Sequence, residues 1–316
     1  MERRNILKEP VEDIHVDPDT SLGDFVTDSL KRMHGFMAGH LSRAVDILAG
    51  CLPDADLRVL TFTANLVATG LRGVLNQLVS EKLFNLVITT AGTVDHDIAR
   101  ASGEGYYRGF FEADDRVLRD LNIHRLGNVF IPAESYGSVV ERVVHKVLDS
   151  LPRDRVWAVY EILWEIGRSL PRGSILRSAV DNGIPVVVPG FLDGAFGTAL
   201  FTYLQLHRDL AISPFKDEEL LADLFFRAKK AAALIIGGGI SKHHAIWWAQ
   251  FRDGYDCAVY ITTAVEYDGS LSGAHPREAI SWNKIKPEAL HVVVYGDATI
   301  LLPLLVAGLL RSIRRS

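Results

Sequence analysis

Glu278, Trp282 and Lys284 stand close together near the end of the segment YITTAVEYDGSLSGAHPREAISWNKI. A lysine does covalent chemistry as a neutral amine, by attack on a carbonyl or an imine. An indole face is a natural seat for an alkyl cation. Glu278 and Trp282 are four residues apart and share one face if that turn is helical. The carboxylate can hold an ammonium, while the indole covers an alkyl chain and excludes water. Burial beside such a ring favours the neutral, nucleophilic amine. The trio therefore points to a cofactor enzyme acting on an amine through Lys284. A surface salt bridge with a tryptophan anchor is the plainer alternative.

About one helix upstream, Gly237, Gly238 and Gly239 follow an apolar run and precede a helical pattern. Glycines let backbone approach a phosphate, and a helix N-terminus supplies N–H donors and positive potential. The spacing is neither G-x-G-x-x-G nor a P-loop, so a tight turn is an equal reading. Small residues and hydroxyls recur where other apolar runs end: Thr63-Ala64-Asn65, Thr89-Thr90-Ala91-Gly92, Pro189-Gly190, Asp193-Gly194, Thr263-Ala264 and Gly296-Asp297-Ala298. Repetition at the carboxyl ends of strands fits a dinucleotide crevice, with Asp193 or Asp297 as ribose or amide contacts. Ordinary turn chemistry explains the same residues about as well. Lys242, His243 and His244 open the helix after the glycines. Adjacent histidines point to different sides of a helix and chelate one metal poorly; one facing the crevice would suit proton transfer, and a helix-start histidine in a surface cluster is the plainer reading. With no H-E-x-x-H or C-x-x-C spacing, no metal is expected.

The elements that must position these groups read as α/β. Candidate strands fall at residues 58–63, 85–90, 128–131, 185–189, 232–236, 257–262 and 291–295. Candidate helices fall at 66–81, 136–150, 156–170, 197–209, 217–230, 242–251 and 301–313. Several strands lack polar alternation, as expected when both faces are covered. The alternation of strand and helix predicts a doubly wound, mostly parallel sheet of Rossmann-like type. Leu30, Met33, Met37, Leu41, Val45 and Leu48 predict one long amphipathic helix before the first strand. Residues 1–20 read as an N-terminal arm and 21–316 as a single catalytic domain. The stretch 268–287 reads as a loop with one short helical turn, lying outside the sheet edge where α/β sites form.

Composition narrows the class. Of 316 residues 48% are hydrophobic, enough for a large core, and the net charge is −5. That charge argues against a nucleic-acid partner. The apolar run at 300–310 is too short to span a membrane and contains Pro303. Cys51 and Cys257 read as two buried thiols, and a cytoplasmic location is expected.

Taken together, the segments TANLVATG, TTAG, PGFLDGAFG, GGGISKHHAI, YITTAVEYDGSLSGAHPREAISWNKI and YGDATILLPLL resemble the deoxyhypusine synthase family, from about Leu57 to Ala307. The resemblance implies an NAD-binding fold, a homotetramer with sites at a dimer interface, and an N-terminal arm that can cover a neighbouring site. It implies transfer of the aminobutyl group of spermidine, a polyamine, to a lysine of translation initiation factor 5A through an imine on Lys284. Carried over by position, His243 moves protons, Trp282 flanks the amine chain and Glu278 holds an ammonium. Asp95, Thr198, Gly269, Ser270 and Leu271 complete the amine site. NAD contacts fall on Ala64, Asn65, Leu66, Val67, Ala68, Thr90, Ala91, Gly92, His96, Asp193, Gly238, Thr263, Ala264, Asp297 and Ala298. Four positions depart from the family pattern. Thr198 and Leu271 stand where it has acidic residues, Trp247 where it has Asn, and His96 in the ribose-binding element. Two alternatives therefore stand beside the first reading: a homospermidine-synthase-like enzyme with another amine donor or acceptor, and a catalytically silent NAD-binding paralogue.

Overall fold

The computed structural model describes residues 7–103 and 105–315. Its centre is a six-stranded sheet: β1 (Leu57–Phe62), β2 (Leu86–Ile88), β3 (Val186–Val187), β4 (Ala231–Ile236), β5 (Tyr255–Thr262) and β6 (Ile285–Tyr295). The spatial order is β6-β5-β4-β1-β2-β3, and every pairing is parallel. This is the dinucleotide-fold order, which reverses between β1 and β4 and opens a crevice at the carboxyl ends of those two strands. The expected α/β doubly wound sheet is therefore present.

Side-chain alternation explains why both faces are covered. Leu60 and Phe62 of β1, Leu234 and Ile236 of β4, and Val259 and Ile261 of β5 enter one apolar cluster. That cluster is completed by Leu41, Val45 and Leu48 and by Leu302, Leu305 and Leu309. Val59, Ala233, Ile235 and Tyr260 enter the other, against Phe225, Ala245, Ile246 and Ala249. A continuous apolar run is what a strand buried on both sides needs.

Several boundaries differ from the sequence reading. The expected long N-terminal helix is broken at His34 and Phe36, both with left-handed φ (56° and 49°). Helix resumes at Met37–Cys51, and the change of direction serves the edge strand β6. Met37 Sδ accepts from the Tyr295 N–H (3.1 Å), and His40 Nδ1 donates to the Val293 carbonyl (2.7 Å). Both backbone groups would otherwise face out from an open sheet edge. The 66–81 helix is interrupted at Thr69-Gly70, giving Asn65–Ala68 and Leu71–Ser80. The strand expected at 128–131 lies at Val129–Pro132, in a separate antiparallel ribbon between Tyr107–Arg108 and Ile123–Leu126. Val156–Trp157 is a short strand paired with Ala211–Ile212, so that helix begins only at Val159. The Ala91–Ala101 helix has no counterpart among the expected helices.

The largest correction concerns the cysteines. Cys51 and Cys257 are not free thiols; they form a buried disulfide with Cα atoms 6.6 Å apart. It ties the end of the Met37–Cys51 helix to β5. A count of two cysteines could not show the pairing, because the fold brings together residues separated by 206 positions. Residues 7–20 carry no helix or strand and are mostly exposed; the first six residues of the expected arm lie outside the described residues.

Candidate active site

A cleft of about 490 Å³ opens at the carboxyl ends of β1, β4, β5 and β6. Thr63, Asn65, Gly237, Gly238 and Thr263 line it, with Ser270, Ser272 and Asp297 on the rim. The glycines are needed for geometry. Gly237 and Gly239 have φ of 84° and 65°, the left-handed region that favours glycine. At Gly238 a Cβ would overlap the Ser272 side chain. The Gly239 N–H donates to Ser272 Oγ (3.2 Å), so the 268–275 segment leans directly on the glycine turn. Thr63 Oγ1 donates to Asn65 Oδ1 (2.6 Å) at the mouth of β1. Asp297 caps the Ala298–Arg315 helix through the Thr299 N–H (2.8 Å), with its carboxylate exposed on the rim.

The reactive-amine cluster is built from the two elements beyond this cleft. Asn283, with a left-handed φ of 54°, turns the chain out of the Pro276–Ser281 helix and into β6. Asparagine is among the few non-glycine residues that adopt this conformation readily. The Lys284 N–H donates to the Ala279 carbonyl (2.9 Å), and the Lys284 carbonyl accepts from Tyr255 at the start of β5 (3.2 Å). The backbone is thus fixed on both sides. The Lys284 residue is 8% exposed, and its Nζ lies 5.3 Å from the Trp282 ring centre and 5.8 Å from that of Trp247. His243 stacks on Trp247 with ring centres 5.8 Å apart.

Helix geometry links the two regions. Gly239, His243 and Trp247 are spaced by four along the Gly239–Ala249 helix and share one face. That face runs roughly 12 Å from the glycine turn to the indole at a rise of about 1.5 Å per residue. Partial burial first, and then the nearby Lys284 ammonium, hold His243 below its ordinary pKa. A histidine in that state is a neutral proton acceptor at pH 7. His244 faces elsewhere, with Nε2 3.2 Å from Glu218 Oε1.

Other expected residues lie apart from this cluster. Asp95 is fully buried, and its carboxylate accepts from the Ala195 and Phe196 N–H groups (2.9 and 2.8 Å) and from Tyr136 Oη (2.9 Å). It acts as a borrowed cap for the Ala195–Leu206 helix, which leaves it no evident role at an amine. Burial raises its pKa against those hydrogen bonds. Asp97, two residues on and so on another side of the helix, similarly accepts from Ser174, Ile175 and Leu176. His96 lines a different pocket with Tyr136, and its Nδ1 lies 2.8 Å from Tyr106 Oη. Burial holds its pKa down at about 4. Thr198 is exposed in the first turn of the Ala195–Leu206 helix, with its Oγ1 donating to the Gly194 carbonyl (3.0 Å), and Asp193 is exposed just before it. Ala64, Ala91, Gly92 and Gly194 pack near one another beside Asp95. Leu66, Ala264 and Ala298 line the cleft, whereas Val67 and Ala68 are buried. Gly269 turns the loop at φ 72°, and Leu271 packs on the second apolar cluster. Glu278 is exposed on the Pro276–Ser281 helix, near enough to act on Lys242.

Sequence reasoning passed over Asp268, Ser272 and Thr262 as cleft residues and left Lys242 without a role. Position gave the missing signal for Thr262 and Ser272: a hydroxyl at a strand end, and one in a loop beside glycines.

The sequence matches the deoxyhypusine synthase family profile over residues 26–309. The chain belongs to that family. It is 54% identical to the "Probable deoxyhypusine synthase" of Ignicoccus hospitalis, over all of both chains. It is 54% identical to the protein of that name in Sulfurisphaera tokodaii, covering 98% of this chain and 100% of the relative. The corresponding Aeropyrum pernix protein is 56% identical, over 96% and 99%. Among solved structures, a "putative deoxyhypusine synthase" from Entamoeba histolytica superposes with a TM-score of 0.65 at 18% identity, over 95% of this chain and 97% of that one. At that identity the likeness concerns the fold.

Proposed function

We propose that this member of the deoxyhypusine synthase family is an NAD-dependent transferase that moves the aminobutyl group of spermidine to a lysine of translation initiation factor 5A. The observation that carries the reading is the buried Lys284 residue, its Nζ 5.3 and 5.8 Å from the centres of two indole rings, with neutral His243 on the helix that starts at the glycine turn.

The cleft residues fit a dinucleotide. Gly237 and Gly238 leave room for backbone to approach a pyrophosphate, and the hydroxyls of Thr63 and Thr263 and the Asp297 carboxylate offer partners for ribose. When bound, NAD supplies an acceptor for a hydride from the amine-bearing carbon and a donor for its return. Lys284 attacks the resulting imine carbon, forming its own C–N bond as the diamine leaving group departs with a proton. His243, which stacks on Trp247 and is held neutral, is the residue we assign to carry that proton between the two nitrogens. Trp282 and Trp247, both partly open to solvent, offer ring faces to the alkyl chain. Attack by the acceptor lysine then reverses the exchange and frees Lys284. Glu278 is the carboxylate we assign to the distal ammonium. In this reading the enzyme is a cytoplasmic homotetramer with no nucleic-acid partner; light scattering tests the assembly.

The decisive test is trapping. The protein is incubated with NAD and spermidine, reduced with borohydride, and its Lys284 peptide is weighed. One aminobutyl group on Lys284, absent in Lys284→Ala, is the expected result. No adduct while NAD binds would reject spermidine as donor.

A second reading keeps the chemistry and changes the amine. It is favoured by Asp95, whose carboxylate is spent on a helix cap, and by Trp247, which presents a ring where a polar group would meet the amine. An adduct with another amine, such as putrescine, and none with spermidine supports it. No adduct with any amine, with NAD bound, leaves a silent paralogue.

A further inference from the structure

Lys242 is a buried cation that the chemistry above does not use. It is 1% exposed, and among the described residues no carboxylate forms an ion pair with it. Its Nζ donates to the Ala274 carbonyl (2.8 Å) and, at longer range, to the Ser272 carbonyl (3.4 Å). It also sits 4.5 Å from the centre of the Tyr260 ring. Burying an ammonium on two carbonyls and a ring face, without an ion-paired carboxylate, is costly, so what those contacts hold in place matters.

The bonded carbonyls belong to the segment that supplies Asp268, Ser270 and Ser272 to the cleft. Few other bonds anchor that segment. Gly239 N–H reaches Ser272 Oγ, and Thr262 Oγ1 reaches the Ser272 carbonyl (3.3 Å). Lys242 comes from the first turn of the Gly239–Ala249 helix, so the same element that begins at the glycine turn also grips the loop. We propose that Lys242 is a positioning residue whose ammonium latches the 268–275 segment against the glycine turn and so builds one wall of the cofactor cleft. The latch deepens the reading given above and rests on it only for the identity of the cofactor.

Charge state gives the latch a pH range. Burial lowers the Lys242 pKa to about 8, and Glu278 partly opposes that shift. The other groups facing it are His275, itself held neutral by burial, and the Tyr260 ring. As pH rises through about 8, the ammonium becomes an amine, which still donates but more weakly. The loop should loosen over that range.

Hydrogen exchange by mass spectrometry tests this together with NAD titration. Three proteins are compared: the wild type, Lys242→Met and Tyr260→Phe. Tyr260→Phe keeps the ring face and removes a hydroxyl that has no hydrogen-bond partner among the described residues. In Lys242→Met, protection of the 268–275 peptide should fall roughly ten- to hundredfold, with NAD affinity falling by a similar factor. Peptides from β4 and β5 should not change, and Tyr260→Phe should match the wild type in both readouts. Unchanged exchange at 268–275 in Lys242→Met overturns the proposal. If that variant fails to fold, the wild type decides. Loop protection, corrected for intrinsic rate, should fall from about pH 7 to about pH 9, and a flat profile overturns the latch. A wild type that binds no NAD rejects the cofactor reading, and the exchange arm then judges the latch alone.

Discussion

Cutting the Cys51–Cys257 disulfide should cost several kcal/mol of stability. The bond closes a loop of 206 residues. In the chain-entropy account, denying the unfolded chain that freedom is worth about 5 kcal/mol at 25 °C, near the top of the observed range of roughly 0–5. Native strain and residual unfolded structure reduce the yield, so about 2–5 kcal/mol is expected. Alanine is the right replacement, because both cysteines are buried and a serine hydroxyl would itself go unsatisfied. Guanidinium unfolding would be followed by circular dichroism at one fixed protein concentration, since assembly adds a concentration-dependent term. Four samples decide it: oxidised wild type, wild type reduced in denaturant and kept reduced, Cys51→Ala, and Cys51→Ala/Cys257→Ala. The last three should share a lower midpoint, with a steeper slope because the uncrosslinked chain exposes more surface on unfolding. A coincident midpoint for oxidised and reduced wild type would refute the argument. So would two free thiols per chain in denaturant without reductant.

Three further outcomes follow from the same geometry. Gly238→Ala should displace the 268–275 segment and weaken NAD binding at least about tenfold, because its Cβ would overlap Ser272; Gly239→Ala, with open space around it but a left-handed φ, should instead lower stability by about 1 kcal/mol, and calorimetry separates the two. The folded chain holds His96 neutral down to about pH 4, whereas the unfolded chain takes up that proton near 6.5. Its contribution is therefore present above about pH 6.5 and lost as pH falls toward 4, by up to about 3 kcal/mol. Asp217, raised to about 6 by burial, works in the opposite sense over an overlapping range, so the net slope is shallower; His96→Asn should show a smaller acid loss in denaturant titrations, and an identical pH profile would contradict the burial argument. Asp95→Asn should cost about 1–3 kcal/mol by weakening the Ala195–Leu206 cap, while leaving Lys284 trapping in place; loss of trapping at unchanged stability would return Asp95 to the amine site.

How far the sequence could be read follows from the range of the interactions concerned. Strands β1, β4 and β5 were legible because double-sided burial writes a continuous apolar run, and the small and hydroxyl residues at their ends marked the crevice edge. The broken helix at His34 to Phe36 was not legible, because its cause is remote: Met37 and His40 are aimed at backbone groups of β6, more than two hundred residues away. The Ala91–Ala101 helix carries Thr93, Asp95, His96 and Asp97 among its buried residues, so its buried positions do not read as an apolar face.

The acids show the same limit at the site itself. A sequence displays a carboxylate but not the group it is spent on. Asp95, Asp97 and Asp217 look alike on paper as candidate ligands for a cation, yet each accepts from first-turn N–H groups of a helix elsewhere in the chain. Such a carboxylate is fixed by donors it cannot leave without stranding them in the interior, and stranding a buried N–H costs about as much as a hydrogen bond to a substrate returns. Only carboxylates without that obligation are free to meet an amine. On the helix beside Lys284 that leaves Glu278, and the proposed reading assigns the alkyl chain to the indoles of Trp247 and Trp282. In the proposed reading the amine site is accordingly more aromatic and less anionic than its motifs suggest, which is why the identity of the trapped amine, rather than the presence of the lysine, is the discriminating measurement.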